Sequence, residues 1–246
     1  MKTNFLHRSL LCRPWLHHSL LHRSLHHHFC LVASLVSSAI LLICTSSTAQ
    51  PTPPATQALA ARVDRHYNQL HSLKAGFVES YEGMGTHRVE RGTLLLMKPG
   101  RMRWSYSEPQ GKIFLLNGKF ALFYAAGDSQ IQRIAASKLD DMRSPLRFLL
   151  GHTQLQKELT GLTATPTANG EFILSGKLKG QEKRIAGVRL TVTNSGAITQ
   201  FEIEEMDGAL TRFTLTNEED NTPIPPESFR FTPPAGVPIV DALPPV

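Results

Sequence analysis

Past residue 49 the chain has no cysteine. All three, Cys12, Cys30 and Cys44, lie at or before position 44, so whatever folds downstream has neither disulfides nor thiolate metal sites. Histidine is almost as scarce there, because seven of the eleven fall within residues 1–28. The remaining four, His66, His71, His87 and His152, form no pair at metal-ligand spacing on one element. A Gly-x-Ser-x-Gly elbow, a phosphate-cradling Gly-x-Gly-x-x-Gly after a strand and a His-Glu-x-x-His helix are all missing, which removes three familiar catalytic and nucleotide-binding signatures. Charge of one sign is also lacking. Four of the 26 basic residues precede position 50, leaving 22 against 20 acidic residues, a net of +2. Without a Lys/Arg stripe to neutralise phosphates, the charge is weak evidence for nucleic acid, and no nucleic-acid partner is expected.

A long apolar run is missing as well. "FCLVASLVSSAILLIC" stops at 16 residues (29–44) and contains three serines, short of the ~20 that span a bilayer. It follows a stretch with Lys2, Arg8, Arg13 and Arg23 and no acidic residue, and precedes "SSTAQ", a small-residue cleavage site after Ala49. This is the grammar of a secretory signal peptide over residues 1–49. A membrane anchor and a lipid-modified Cys44 are the alternative readings. The remainder, residues 50–246, counts 197 residues, enough for one domain with a sizeable core.

After the proline-rich "QPTPPA", apolar residues at Leu59, Val63, Tyr67, Leu70 and Leu73 have helical spacing and predict one amphipathic helix over 56–73, with Pro53 and Pro54 at its start. From Ala75 the period becomes two. "AGFVESYE" is read as apolar Ala75 and Phe77 alternating with polar Glu79, and "RVERGTLLLMKP", "RMRWSYSEP", "KIFLL" and "KFALFY" follow at short spacing. Asn117-Gly118 between the last two is a strong hairpin signal. "RSPLRFLLG" interrupts the strands with a short helix, Ser144 capping it and Gly151 stopping it. Strands resume with "EFILSGKL", "RIAGVRLTVT", "ITQFEIEEM" and "LTRFTLTN", the last two joined at Asp207-Gly208, and the proline-rich tail holds one strand at Phe229 to Phe231. The expectation is nine to eleven antiparallel strands and two or three helices in one large sheet, an α+β, mostly β domain.

Candidate chemistry is thin. Glu202 and Glu204 share a strand face but read as solvated surface, because nothing nearby is apolar enough to split their pKa values. His152 with Asp140, Asp141 and Ser144 is a triad only by proximity in sequence. The chain does not read as an enzyme. The conspicuous feature is apolar excess between 93 and 124: Leu94 and Leu96 point to one face of a strand, Leu95 and Met97 to the other, and Met102, Trp104 and Tyr106 share a parity. Burial on both faces requires cover on both. A packed core and a cavity for an apolar ligand both satisfy that requirement.

The helix running into "LKAGFVES", then "GTLLLMKPGRMRWSYSEP", "IFLLNGKFALFY", "SPLRFLLG" and "PESFRFTPPAGVPIVD", in that order, resembles the outer-membrane lipoprotein carrier (LolA-like) family from about Leu59 to Asp241. The resemblance implies an incomplete antiparallel β-barrel, a large curved sheet with a helical lid over a hydrophobic cavity. It also implies a periplasmic carrier, a monomer, that accepts lipoprotein acyl chains from an inner-membrane lipoprotein-releasing ABC transporter and delivers them to an outer-membrane receptor, with no cofactor, metal or catalytic residue. Another lipid or apolar ligand on the same fold is the alternative. Carried onto this chain, Phe77, Leu94, Leu96, Met102, Trp104, Tyr106 and Leu115 correspond to the lipid-binding cavity, and Leu59, Val63, Lys98, Pro145, Leu146 and Leu149 to the lid and its latch. Where the family often has an arginine before the proline, this chain has Lys98, a point charge in place of a planar fork.

Overall fold

A computed structural model describes residues 53–141, 149 and 154–242. Helix α1 (Pro53–Gln69) starts at a proline, whose missing N–H would be unpaired in a first turn anyway. Leu59, Ala60, Val63 and Tyr67 form its buried stripe, each at most 2% exposed. The helical spacing in the sequence overruns the helix: Leu70 and Leu73 are buried too, but Leu73 already belongs to β1 (Ser72–Gly83). The chain turns straight from helix into strand while continuing to point apolar residues at the same core, so the period outlives the element.

The strands then follow as β1, β2 (Thr86–Met97), β3 (Arg101–Glu108), β4 (Ile113–Asn117), β5 (Phe120–Tyr124), β6 (Ile131–Ala135), β7 (Leu159–Pro166), β8 (Phe172–Leu178), β9 (Ile185–Val192), β10 (Ile198–Glu205), β11 (Leu210–Asp220) and β12 (Ile239–Asp241). Together they make a single 12-stranded sheet in the order β12-β6-β5-β4-β3-β2-β1-β11-β10-β9-β8-β7. Neighbours are antiparallel except β12, which lies parallel to β6. The sheet is open and curved, with β12 and β7 at its edges, and it matches the mostly β architecture expected. The long β1–β2 hairpin turns on Met84 and Gly85, at φ of 50° and 73°, the left-handed pair that a two-residue turn needs to follow the strand twist.

Among the described residues, two short helices of defined bounds sit beside the sheet: α2 (Ala136–Asp141), which the sequence did not announce, and α3 (Leu155–Glu158). Of the helix expected in "RSPLRFLLG", only Leu149 is described. It is helical and 1% exposed. Pro145 and Leu146 lie outside the described residues. β7 and β12 carry the strand count past the expectation, and the strand expected at Phe229 to Phe231 is instead the end of a 3-10 turn (Pro226–Phe229) followed by coil.

One large cluster joins α1 to strands from both halves of the sheet: Leu94 and Leu96, Met102 and Trp104, but also Leu174, Leu190, Val192 and Phe201. A single helix can meet both ends of a sheet only if the sheet wraps around it, so this is the concave face. A second cluster lies on the opposite side. Leu95 and Met97 pack there with Ile113, Leu115, Leu122 and Ile131, beneath Ile224, Phe229, Phe231 and Val237 of the proline-rich tail. The Arg103 guanidinium ties that tail down by donating to the carbonyls of Ser228 (2.8 Å) and Arg230 (3.1 Å). β2 is therefore apolar on both sides because a helix covers one and the chain terminus covers the other.

Candidate functional site

The concave face of β1, β2 and β3 is a lattice of cross-strand pairs. Leu73 faces Leu96, which faces Met102; Ala75 faces Leu94, which faces Trp104; Phe77 faces Gly92, which faces Tyr106. All of the large residues but Tyr106 are at most 2% exposed. Gly92 is required by close approach: a Cβ there would sit 2.0 Å from the Ser105 carbonyl oxygen and 2.9 Å from the Phe77 ring. The space it leaves is filled by aromatics, with Phe77 edge-on to both Trp104 (4.7 Å) and Tyr106 (5.0 Å), and Trp104 edge-on to Phe213 (5.2 Å). Leu59 and Val63 of α1 and Leu149 share this cluster. Of the residues assigned to it from sequence, Leu115 does not belong. Its cross-strand partner is Arg103, so it points to the tail-covered face.

At its inner end the apolar strip meets a polar floor. Glu79 shares the parity of Ala75 and Phe77, so it points inward instead of alternating with them, and only 8% of it is exposed. It accepts a 2.7 Å hydrogen bond from the Tyr106 hydroxyl, and burial beside that carboxylate pushes the Tyr106 phenol well above its ordinary pKa. Opposite Glu79 on β2, buried Glu90 is paired by Lys112 and by Arg88 at 3.2 Å. Every charge in this floor has a partner, as buried charges must.

At its outer end the strip is closed by contacts to the C-terminal turn of α1. The Lys98 ammonium donates to the Tyr67 carbonyl, and the Lys98 N–H to the His71 carbonyl at 2.9 Å. A cation is favoured at a helix C-terminus, where carbonyls lack partners, and partial burial lowers the Lys98 pKa. Tyr67 is itself a hub. Its hydroxyl accepts from the Ile198 N–H (2.9 Å) and donates to Glu218 (3.3 Å). Burial, with Asp220 nearby, raises the Glu218 carboxyl to about 7. His66 faces Asp220 at 3.7 Å. His66, Glu218 and Asp220 bring three ligand atoms within 4.8 Å, but Glu218 is already used by Tyr67, and the trio serves as the mooring of the helix end. On the other side of α1, Asp64 accepts the Leu155 N–H at 3.0 Å.

Glu202, read as solvated, is in fact buried, with Arg189 at 2.8 Å on one oxygen and Arg212 on the other. A carboxylate held between two guanidiniums is a structural tie, not half of an acid–base pair. The His152, Ser144, Asp140 and Asp141 grouping falls where no side chain is described. Glu79, Glu90 and the Tyr67–Glu218 contact escaped sequence reading. The available signal was parity for Glu79, and for the others there was none, because their partners are far along the chain.

The fold is an open sheet curled around one helix, apolar on its concave face and polar at both ends of the strip. Residues 68–232 match the outer membrane lipoprotein carrier protein LolA family, and the chain belongs to it. It is 28% identical over 173 residues to the outer-membrane lipoprotein carrier protein of Nitrosospira multiformis, covering 69% of this chain and 82% of that one. It is 29% identical over 183 residues to that of Proteus mirabilis, covering 73% and 86%. A solved LolA superfamily protein from Nitrosomonas europaea is similar at 10% identity and a TM-score of 0.39, over 72% of this chain and 97% of that one.

Proposed function

We propose that this protein is a periplasmic carrier that shields the acyl chains of lipoproteins between its concave face and α1, taking them from an inner-membrane transporter and releasing them at the outer membrane. Residues 1–49 serve as its export signal. Family membership supports the cargo class, and one structural observation supports the mechanism: the helix covering the strip is moored at its C-terminal turn by a few polar contacts, the Lys98 ammonium on the Tyr67 carbonyl and the Tyr67 hydroxyl on Ile198 and Glu218. Each acyl CH₂ removed from water contributes about 0.8 kcal/mol, so holding a chain is easy and release is the harder problem. Leu59, Val63 and Tyr67 compete for the same surface and lower net affinity, which makes hand-over feasible. No step forms or breaks a covalent bond.

The test is mass spectrometry of what co-purifies with the protein from its own periplasm. Triacylated lipoproteins are the expected cargo. Free lipids alone would overturn the lipoprotein assignment and establish a carrier for another apolar ligand on the same fold. A tightly packed protein that carries nothing and excludes a fluorescent fatty acid would overturn the compartment itself.

A further inference from the structure

The strip contains one buried donor with no acceptor. Trp104 is 2% exposed, and among the described residues its indole Nε1 has no hydrogen-bond partner. Indole N–H can only donate, and buried polar groups are almost always paired. Its neighbours do not supply the need. Phe77 and Phe213 present ring contacts, while Leu94 and Phe114 flank it across β2 and β4. The other polar side chains facing the compartment are already engaged: Tyr106 with Glu79, Tyr67 with Glu218 and Lys98 with the Tyr67 carbonyl. Among the described side chains of the sheet's concave strip, Trp104 is the one left unspent, one cross-strand pair inside the Leu96–Met102 rim, a depth of about 7 Å along the strand.

An acylated ligand brings the complementary deficit. Its hydrocarbon asks for nothing, but its linkage carbonyl loses water on entry and needs a donor. We propose that Trp104 Nε1 donates to the ester or amide carbonyl of the bound acyl group, so that the compartment distinguishes acyl linkages from plain hydrocarbon. This rests on the acyl-compartment reading above and adds to it a specificity residue and the ligand atom it reads. The bond forms only when cargo is present, so it favours the loaded state over the empty one. It also fixes the depth at which the linkage stops, leaving the hydrocarbon to run toward the Glu79–Tyr106 floor.

Trp15 and Trp104 are the two tryptophans in the chain, which makes the test direct. In the full chain carrying Trp15→Phe, Trp104 gives the single indole N–H resonance. Methyl hexadecanoate and heptadecane, similar in length and differing in the carbonyl, are titrated against displacement of a fluorescent fatty acid while that resonance is followed. The expected result is that both ligands bind, the ester moves the Trp104 Hε1 resonance downfield and slows its exchange, and the alkane does neither. Trp104→Phe, which keeps a ring and removes the donor, weakens the ester roughly two- to tenfold more than the alkane. Ester and alkane binding with the same resonance change would overturn the proposal while leaving the compartment intact. Binding of neither would overturn the compartment, and the proposal with it; because the resonance is read in a chain with Trp104 in place, this holds even if Trp104→Phe fails to fold.

Discussion

Replacing Lys98 by methionine keeps an unbranched apolar stem and removes the ammonium. In the native protein that ammonium donates to the Tyr67 carbonyl in the last turn of α1. A hydrogen bond to a charged group is worth up to about 3 kcal/mol, but Lys98 is only partly buried and water can replace it, so about 1 kcal/mol is the appropriate figure. The lost interaction with the helix C-terminus adds about 0.5 kcal/mol. The sum, about 1.5 kcal/mol, corresponds to roughly a tenfold rise in the population with the end of α1 undocked. Tyr67 retains its contacts to Ile198 and Glu218, so the helix loosens without detaching. Amide hydrogen exchange reads this residue by residue. Protection of the amides in the C-terminal half of α1 falls about tenfold, while β4 and β5 keep theirs. Lys98→Arg, which restores a cation, retains most of the protection. Unchanged exchange in α1 would show that Lys98 is an ordinary surface charge, and a uniform loss across the sheet would show that it stabilises the whole fold and not the docking of α1 in particular.

Three further outcomes are expected. Glu218 has a raised folded-state pKa, about 7 against an ordinary 4.5, so it is protonated in the folded state and ionised in the unfolded state between those values. Stability therefore falls as pH rises through that window, by at most about 3 kcal/mol, and Glu218→Gln should flatten this slope in chemical denaturation; an unchanged slope would assign it to another group. Gly92→Ala forces a methyl group against the Ser105 carbonyl and Phe77, an overpacking that should lower the melting temperature by roughly 5–10 °C, and an unshifted melting curve would contradict the close approach. Arg103→Ala removes both bonds to the tail, so limited proteolysis within residues 222–238 should accelerate severalfold while exchange in α1 stays put, and equal digestion rates would mean that apolar packing alone holds the tail.

The strands and the first helix were largely legible, because amphipathic period and Asn-Gly or Asp-Gly turns are local signals. The errors fell where local signals mislead. Leu73 continued a helical spacing after the helix had ended. Leu115 lies in a strand with apolar residues on both parities, Ile113 to Leu116, and the polar Asn117 that ends it belongs to a turn, so alternation did not reveal which way Leu115 points. Phe229 looked like strand but packs as a plug over Leu115 and Ile131. Glu79 was read as the polar member of an alternation and Glu202 as solvated surface, because a sequence does not show that Tyr106, or a pair of arginines, will arrive from another strand.

By itself the sequence determined the composition of the concave face. It set a chain without cysteine after residue 49, near neutral in charge there, with a strand apolar on both faces and Lys98 at its end on the parity of Leu94 and Leu96. Family resemblance followed from the same residues. Only the tertiary structure decided what covers each face, which carboxylates are buried and paired, and that Lys98 meets a helix carbonyl 31 residues away in the chain. The physical reason is that periodicity records how a segment partitions between water and protein. The identity of the protein surface it meets depends on contacts between residues distant in sequence, which no local pattern encodes.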